Sequence, residues 1–208
     1  QMQGQHESPE VVQAPGIMGR AKTAQKFVTH SIDLDGGIDY ALQQLHDLKP
    51  GDRLLLSGNL LVARDAAHLK WHELILQGKD LPEYLLHYPI YYAGPAATPP
   101  GKVIGSFGPT TAQRMDPYGV ELMSRGASRI TLAKGNRAPS WAEACKTYGG
   151  FYLGTIGGAA ALIAEENILE SEVLDYPELG MEAVRRIRVR DLLAFIIIDD
   201  RGQDLYRS

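Results

Sequence analysis

The first regular pattern of apolar residues predicts a helix. In IDYALQQLHDL, residues 38–48, four apolar residues from Ile38 to Leu48 recur every three or four positions, and the KPGD turn that follows ends the helix. The next segment, RLLLSGNLLVA, predicts a strand that is interrupted at Gly58-Asn59 by a bend or a hairpin. Asp65 is then expected to cap a helix that runs to about Gln77. Arg64 therefore stands at the junction between a strand and a helix.

Strands alternate with helices in the middle of the chain, and strands dominate its C-terminal part. The predicted helices are YGVELMSRG and SWAEACKTYGG, with Ser140 as the cap of the second. The predicted strands are PIYYAG, KVIGSFG, SRITLAKG, FYLGT, SEVLDY, RRIRVR, AFIII and DLYR. This mixture favours a layered α/β or β/β/α domain over a regular doubly wound sheet. Residues 1–22 lack apolar periodicity and are expected to form a flexible N-terminal arm, which leaves residues 23–208 as a single domain.

Composition narrows the class of protein. A chain of 208 residues with 44% hydrophobic content is long enough to bury a sizeable core. Its net charge of −4 argues against a nucleic-acid surface, which needs concentrated Lys and Arg. The longest apolar run, Leu192 to Ile198, is far shorter than the ~20 residues of a membrane span and predicts a buried strand. No secretory signal pattern opens the sequence, so a cytoplasmic location is expected.

The residues that bind metals in other proteins are sparse here. Cys145 is the only cysteine, so no disulfide within the chain and no cysteine cluster for zinc or iron can form. His68 and His72 are four residues apart, but no third ligand has suitable spacing and Glu73 follows the second histidine instead of the first. Histidines on an amphipathic helix are therefore favoured over a metal site, and no metal ligand is predicted in this chain.

Cations and hydroxyls follow three predicted strands, in VARDAAH, GPTTAQRMD and LAKGNR. Ligands of α/β proteins bind near the carboxyl ends of strands, so these segments predict one cluster. Its members are Arg64, Thr110, Thr111, Arg114 and Lys134. An arginine fork matches a carboxylate, a lysine adds a point charge, and hydroxyls donate hydrogen bonds. The expected ligand is a small anion with two carboxylates or a phosphate.

A purely structural interpretation of the same residues stays open at this stage. Arg64 can pair with Asp65 or another nearby acid, Arg114 with Asp116, and the two threonine hydroxyls can bond the backbone of a turn. The Gly-rich segment 154–162 lacks both GxGxxG and a GK[ST] sequence, which favours close packing of strand and helix over phosphate binding.

Five motifs in consistent order carry a family resemblance. They are ARDAAH, GPTTAQRMDPY, LAKGNR, ACKTYGGFYLGTIGGAAA and YPELGMEAV. Over residues 28–208 the chain resembles the C-terminal half of class I fumarases and the separate beta subunits of fumarase and L(+)-tartrate dehydratase. The resemblance implies an α/β fold of the swivelling β/β/α type with mixed sheets. It also implies a hydro-lyase for a small dicarboxylate, with fumarate/malate preferred over tartrate.

The resemblance further implies a cofactor and a partner. In these enzymes a 4Fe-4S cluster, with one iron free of cysteine, acts as a Lewis acid, and its three cysteines belong to the other half or alpha subunit. The single cysteine of this chain agrees with its being the beta half only. We therefore expect the chain to be catalytically incomplete without an alpha subunit and to assemble into a higher heteromer of alpha-beta pairs.

Residue by residue, the motifs imply the following roles. Arg64, Arg114 and Lys134 match positions that bind substrate carboxylates, and Thr110 matches a hydroxyl that takes part in proton transfer. Four residues are expected to support the site. Gly108 shapes the turn together with Pro109, Thr111 supports the site, and Asp65 and His68 position its residues. A non-catalytic small-anion-binding or assembly module with the same fold is the alternative, and the presence of the complete cationic set weighs against it.

Overall fold

A computed structural model describes residues 28–95, 107–155 and 167–207 of the chain. The predictions for the N-terminal arm, most of PAATPP, the start of KVIGSFG and residues 156–162 of the Gly-rich segment lie outside these ranges. The helices are α1 (Ile38–His46), α2 (Asp65–Leu76), α3 (Asp116–Ser124) and α4 (Pro139–Tyr148). The strands are β1 (Thr29–Asp33), β2 (Arg53–Val62), β3 (Ile90–Tyr91), β4 (Ala93–Pro95), β5 (Phe107–Pro109), β6 (Ile130–Ala133), β7 (Phe151–Thr155), β8 (Ile168–Asp175) and β9 (Val184–Ile198). Short 3-10 turns span Glu83–Leu86, Ala112–Met115 and Pro177–Glu182.

Seven of these strands form one mixed sheet in the order β1-β2-β3-β6-β7-β9-β8. The first five are parallel, whereas β9 runs antiparallel to β7 and β8. Because β9 also pairs along β2, the strands β2, β3, β6, β7 and β9 close into a ring. Strands β4 and β5 form a separate antiparallel ribbon. The predicted mixed α/β architecture is therefore confirmed.

The long strand β9 replaces two predicted strands. RRIRVR and AFIII were expected to be separate, but they are continuous, and the irregularity between them is a bulge against β2. Leu56 pairs with Leu192 and Gly58 with Val189, while Asp191 takes up a left-handed conformation with φ 49°. A bulge absorbs extra residues without ending a strand. The prediction that a bend or a hairpin interrupts the strand at Gly58-Asn59 is wrong for the same reason, since β2 continues through the bulge.

Two further strand predictions differ from the structure. The sequence pattern missed β1, because only Ile32 of its five residues is buried and no alternation is visible. DLYR is not a strand, and only Asp204 bridges to Ile198. The Asp204 carboxylate accepts the backbone N–H of Tyr206 at 2.9 Å and the Asp204 carbonyl accepts that of Arg207 at 3.2 Å, so these donors are satisfied within a turn instead of a strand ladder.

The core has two parts, one on each side of the ring. Alternate residues of the ring strands pack together with α1, for example Leu54, Leu132 and Phe151. The intervening strand residues pack against α2, α3 and α4, with Trp71 and Trp141 at the centre. Because side chains alternate across a strand, the first part fills the ring and the second lies beneath a helix layer.

The apolar run before Asp199 belongs to this core. Ile196, Ile197 and Ile198 are each at most 1% exposed, whereas Leu193 is 39% exposed, so the predicted strand is present but is fully buried only at its C-terminal end. Within the described ranges, no helix has the length and apolar character needed to cross a membrane.

Both predicted helix caps are wrong. Helix α2 begins at Asp65 itself, with Arg64 as the preceding residue, and helix α4 begins at Pro139 with Ala138 before it. Neither helix has a side-chain cap from its own N-terminal residue. Proline suits the first helical position because its missing N–H has no helical partner there. The Ala138 N–H is instead satisfied by the carboxylate of Asp116, at 2.6 Å, from a different helix.

Candidate functional site

The candidate site lies where parallel strands of the ring end. Arg64 follows β2, Tyr92 follows β3 and Lys134 follows β6, and these strands are neighbours in the sheet. The carboxyl ends of parallel neighbours share one edge, so the structure brings Arg64 and Lys134 to the same side of the ring.

Backbone hydrogen bonds attach the GPTT segment to this edge. The Thr110 N–H donates to the Tyr92 carbonyl at 2.8 Å, and the Lys134 N–H donates to the Thr110 carbonyl at 3.3 Å. The Ala112 N–H donates back to the Lys134 carbonyl at 2.9 Å, so Thr111 and Lys134 form a parallel bridge. Thr110 and Thr111 therefore lie between the ends of β3 and β6. Gly108 does not form the predicted turn with Pro109, because both residues belong to β5.

The Thr110 hydroxyl is half-buried and donates to the Tyr92 carbonyl oxygen at 3.1 Å. In this conformation it bonds the backbone, as the structural interpretation of the sequence anticipated. Its donor is engaged, while the oxygen retains lone pairs that can accept a hydrogen bond. Thr111, by contrast, is exposed.

Arg64 reaches across the start of α2. Its Nε donates to the Glu182 carboxylate at 3.2 Å, so the anticipated pairing with an acid is present, although the acid is not Asp65. The guanidinium packs on the backbone of Gly94, where an added Cβ would meet Nη1 at 2.7 Å. Glycine at this position leaves room for the Arg64 side chain.

Arg114 is 57% exposed and pairs with Asp65, whose Oδ2 accepts from Nη2 at 2.6 Å. The alternative pairing of Arg114 with Asp116 is therefore wrong. Asp65 does not cap α2 with its side chain, because its carboxylate is turned toward Arg114. Lys134 is also exposed, and its ammonium has no ion-pair partner among residues 28–95, 107–155 and 167–207.

His68 forms a hydrogen bond with the backbone of Arg64. It is fully buried, packs edge-on against the rings of Trp71 and Tyr92, and its Nδ1–H donates to the Arg64 carbonyl at 2.8 Å. Burial lowers the pKa of His68 to about 4, so the ring is neutral near pH 7. His72 faces elsewhere, with Nδ1 3.8 Å from Glu121.

The sequence analysis missed Arg137, the last residue of LAKGNR. It is 1% exposed, and its Nε donates to the Asp116 carboxylate at 2.7 Å. Its terminal nitrogens donate to the Thr131 hydroxyl at 2.9 Å and the Tyr92 hydroxyl at 3.1 Å. The guanidinium carbon lies 3.3 Å from the centroid of the Trp141 ring. Arg137 thus ties the segments that carry Thr110, Arg114 and Lys134 to one another.

The residues of this chain do not fit an iron-sulfur cluster. Cys145 is buried on α4 within the helix-covered core, and burial raises the pKa of its thiol to about 12. A cluster needs several thiolates, and Cys145 is the only cysteine of the sequence. The part of the chain that the structure describes also contains no group of three or more His, Cys, Asp or Glu side chains placed to hold a metal ion.

Fold and site together define a mixed α/β domain that places Arg64, Thr110 and Lys134 at one edge of its ring of strands. The profile of the family described as Fumarase C-terminus matches residues 2–208, and the chain belongs to this family. The resemblance inferred from the five motifs is confirmed.

Individual relatives support the same assignment. The chain is 54% identical over 175 residues to fumarate hydratase 2 of Leishmania major, an alignment that covers 84% of the chain and 31% of that protein. It is 51% identical over 177 residues to the anaerobic class I fumarate hydratase of Escherichia coli K12, covering 85% and 32%. A putative L(+)-tartrate dehydratase subunit beta of Methanocaldococcus jannaschii is 34% identical over 165 residues, covering 77% and 85%. The chain thus spans about a third of the length of these fumarate hydratases.

Proposed function

We propose that this chain is the beta subunit of a hydro-lyase that reversibly hydrates or dehydrates a small dicarboxylate, and that it supplies the residues that bind the carboxylates. Fumarate/malate is the proposed substrate pair and tartrate the second choice, because the relatives named fumarate hydratase are more similar than the one named tartrate dehydratase. The observation that carries the proposal is that Arg64, Thr110 and Lys134 lie at one strand edge, with Arg114 paired to Asp65 beside it, in a protein whose net charge is negative.

The ion pairs at the site support carboxylate recognition. Arg64 and Arg114 each already bind one carboxylate oxygen, from Glu182 and Asp65, and Arg114 does so at 2.6 Å. Each guanidinium has five N–H donors, so both retain donors for a substrate. Lys134 adds an ammonium without an ion-pair partner in the described ranges. Two guanidinium groups and one ammonium group are therefore available to bind a dicarboxylate.

The proposed chemistry of these residues follows from their charges. When a proton leaves the carbon beside a carboxylate, negative charge moves onto the carboxylate oxygens, and fixed cations stabilise that charge. The three cations also hold the substrate in one orientation. Thr110 is proposed to move the proton. A threonine hydroxyl is not basic near neutral pH, so it depends on the positive field of its neighbours and must exchange its bond to the Tyr92 carbonyl.

The rest of the active site is proposed to come from a partner. We propose that an alpha subunit holds the 4Fe-4S cluster, since the one cysteine of this chain is a buried thiol. The closed ring and its helix layer are proposed to be the swivelling β/β/α domain that the family resemblance implies. The complete enzyme is proposed to be a cytoplasmic heteromer of alpha-beta pairs.

The decisive experiment is anaerobic production of the chain together with its alpha half, followed by cluster reconstitution and assays with malate, fumarate and both tartrate enantiomers. Turnover of one of these acids is the expected result. A cluster-loaded complex that turns over none of them, nor their close analogues, contradicts the proposal.

A single substitution tests the clamp. Arg114→Ala should lower kcat/KM by roughly 10- to 100-fold, because a hydrogen bond to a charged group contributes about 1.5–3 kcal/mol. Arg125→Ala is the matched control, since Arg125 is a 49% exposed arginine that pairs with Glu121 at 3.7 Å on α3. Near-normal kcat/KM for Arg114→Ala in a folded protein would remove Arg114 from the clamp.

Two observations favour the alternative, a non-catalytic small-anion-binding or assembly module. Both arginines have internal carboxylate partners, and the Thr110 hydroxyl is bonded to the backbone. A complex that binds dicarboxylates but turns over none would favour this alternative over the enzyme.

A further inference from the structure

Glu182 lies in the motif YPELGMEAV, and no residue of this motif has a role in the reaction proposed above. Its carboxylate nevertheless contacts Arg64. We propose that Glu182 is a positioning residue: it fixes the plane of the Arg64 guanidinium so that the free edge of that fork receives a substrate carboxylate. This inference rests on the function proposed above.

One oxygen of Glu182 makes two contacts at the start of α2. Oε1 accepts from Arg64 Nε at 3.2 Å and from the backbone N–H of Ala66 at 3.3 Å. The first N–H groups of a helix have no helical partner, and α2 has no side-chain cap of its own. The carboxylate of Glu182 therefore serves this helix end from a distant part of the chain. The second bond fixes the position of the oxygen that holds Arg64.

The contact leaves the substrate-binding edge of Arg64 available. Only Nε donates a hydrogen bond to Glu182, and neither terminal nitrogen makes a hydrogen bond to another residue of the described ranges. Because the guanidinium is planar, holding Nε on one side and packing the group on Gly94 together define where its terminal N–H groups point. In Arg114, by contrast, the internal carboxylate of Asp65 occupies a terminal nitrogen.

The segment that carries Glu182 is anchored at both ends. Before it, Asp175 accepts a hydrogen bond from the Tyr84 hydroxyl at 2.6 Å. After it, Ala183 and Val184 are 3% and 0% exposed, where β9 begins. Between these anchors Tyr176 has φ 51°, a left-handed conformation that is uncommon for a residue other than glycine. The segment is thus held in an unusual path that ends with Glu182 against Arg64.

The test uses the reconstituted complex with its alpha half. Glu182→Ala removes both contacts, while Glu182→Gln keeps an acceptor oxygen for Arg64 and Ala66. Glu172→Ala is the matched control, because Glu172 also pairs with an arginine, at 3.0 Å to Arg186, on strand β8. KM and kcat are measured separately, together with the melting temperature and the dissociation constant of succinate, a dicarboxylate that lacks the hydroxyl to be eliminated.

Glu182→Ala is expected to raise both KM and the succinate dissociation constant by roughly 10- to 100-fold, as misplaced binding groups do, with a smaller change in kcat. Glu182→Gln should recover most of the loss, and Glu172→Ala should match the wild type. A purely structural role predicts a lower melting temperature and fewer active molecules with KM unchanged, and that result overturns the proposal.

Three other outcomes are equally informative. A lower KM or tighter succinate binding in Glu182→Ala would make Glu182 a competitor for Arg64 and overturn the positioning role. If the wild-type complex turns over no acid, the proposed function fails. The dissociation constant of succinate then tests the role of Glu182 by itself. Weaker binding of succinate by Glu182→Ala supports that role, whereas unchanged or undetectable binding refutes it. A wild-type complex that is active while Glu182→Ala equals it refutes only the role of Glu182.

Discussion

Replacing Arg137 by methionine should destabilise the protein by about 3–5 kcal/mol, the usual cost of removing one partner from a buried ion pair. The side chains of Arg137 and Asp116 are 0% and 7% exposed, and their closest atoms are 2.7 Å apart. Methionine keeps an apolar contact with Trp141 but leaves the Asp116 carboxylate without its cation. The total unfolding free energy of a domain is about 5–15 kcal/mol, so the loss is a large part of it.

Urea denaturation of the purified protein, followed by tryptophan fluorescence and circular dichroism, measures this loss. Arg125→Met is the control, and it should change the unfolding free energy by less than about 1 kcal/mol because the pair with Glu121 is exposed. The double variant Arg137→Met/Asp116→Asn should be less destabilised than the sum of the single variants, since no charge is left unpaired. An Arg137→Met protein within about 1 kcal/mol of the wild type would refute the reasoning.

Two other buried groups give predictions. The folded pKa of His68, about 4, lies below the usual 6.5, so the neutral ring adds stability that is present above pH 6.5 and is lost as the pH falls toward 4. This lowering of the pKa corresponds to roughly 3 kcal/mol of unfolding free energy. The unfolding free energies measured at pH 7 and pH 4 should therefore differ less in His68→Gln than in the wild type. The same pH dependence in both proteins would contradict this prediction. The pKa of Cys145, raised to about 12 by burial, predicts that a disulfide reagent at pH 8 modifies the native thiol far more slowly than the thiol in urea, and equal rates would contradict it.

The positions of the site residues were predictable because they follow strand ends, but their partners were not. Arg64, Thr110 and Lys134 stand next to apolar segments whose strand character is visible locally. The acid that holds Arg64 is Glu182, 118 residues further along the chain. Local spacing suggested Asp65 and Asp116 as partners, and only the ring closure by β9 brings the distant acid into contact.

The difference between two cations of one motif was also invisible in the sequence. Lys134 and Arg137 both belong to LAKGNR, yet the first is exposed and the second is 1% exposed. Burial of Arg137 depends on Asp116 and Trp141, which come from two different helices. Helix ends show the same limit, because the Ala138 and Ala66 N–H groups are satisfied by carboxylates from other elements.

The pairing of β2 with β9 has a consequence for protein synthesis. Strand β2, Arg53–Val62, is synthesised well before the strand that covers one of its edges, Val184–Ile198. Contacts between Arg53 and Phe195 give the fold a high contact order, which slows folding. Until β9 is available, β2 presents an apolar, unpaired edge of the kind that associates with other chains. We therefore expect the ring to complete only after translation has passed residue 198, with the nascent domain dependent on chaperones until then.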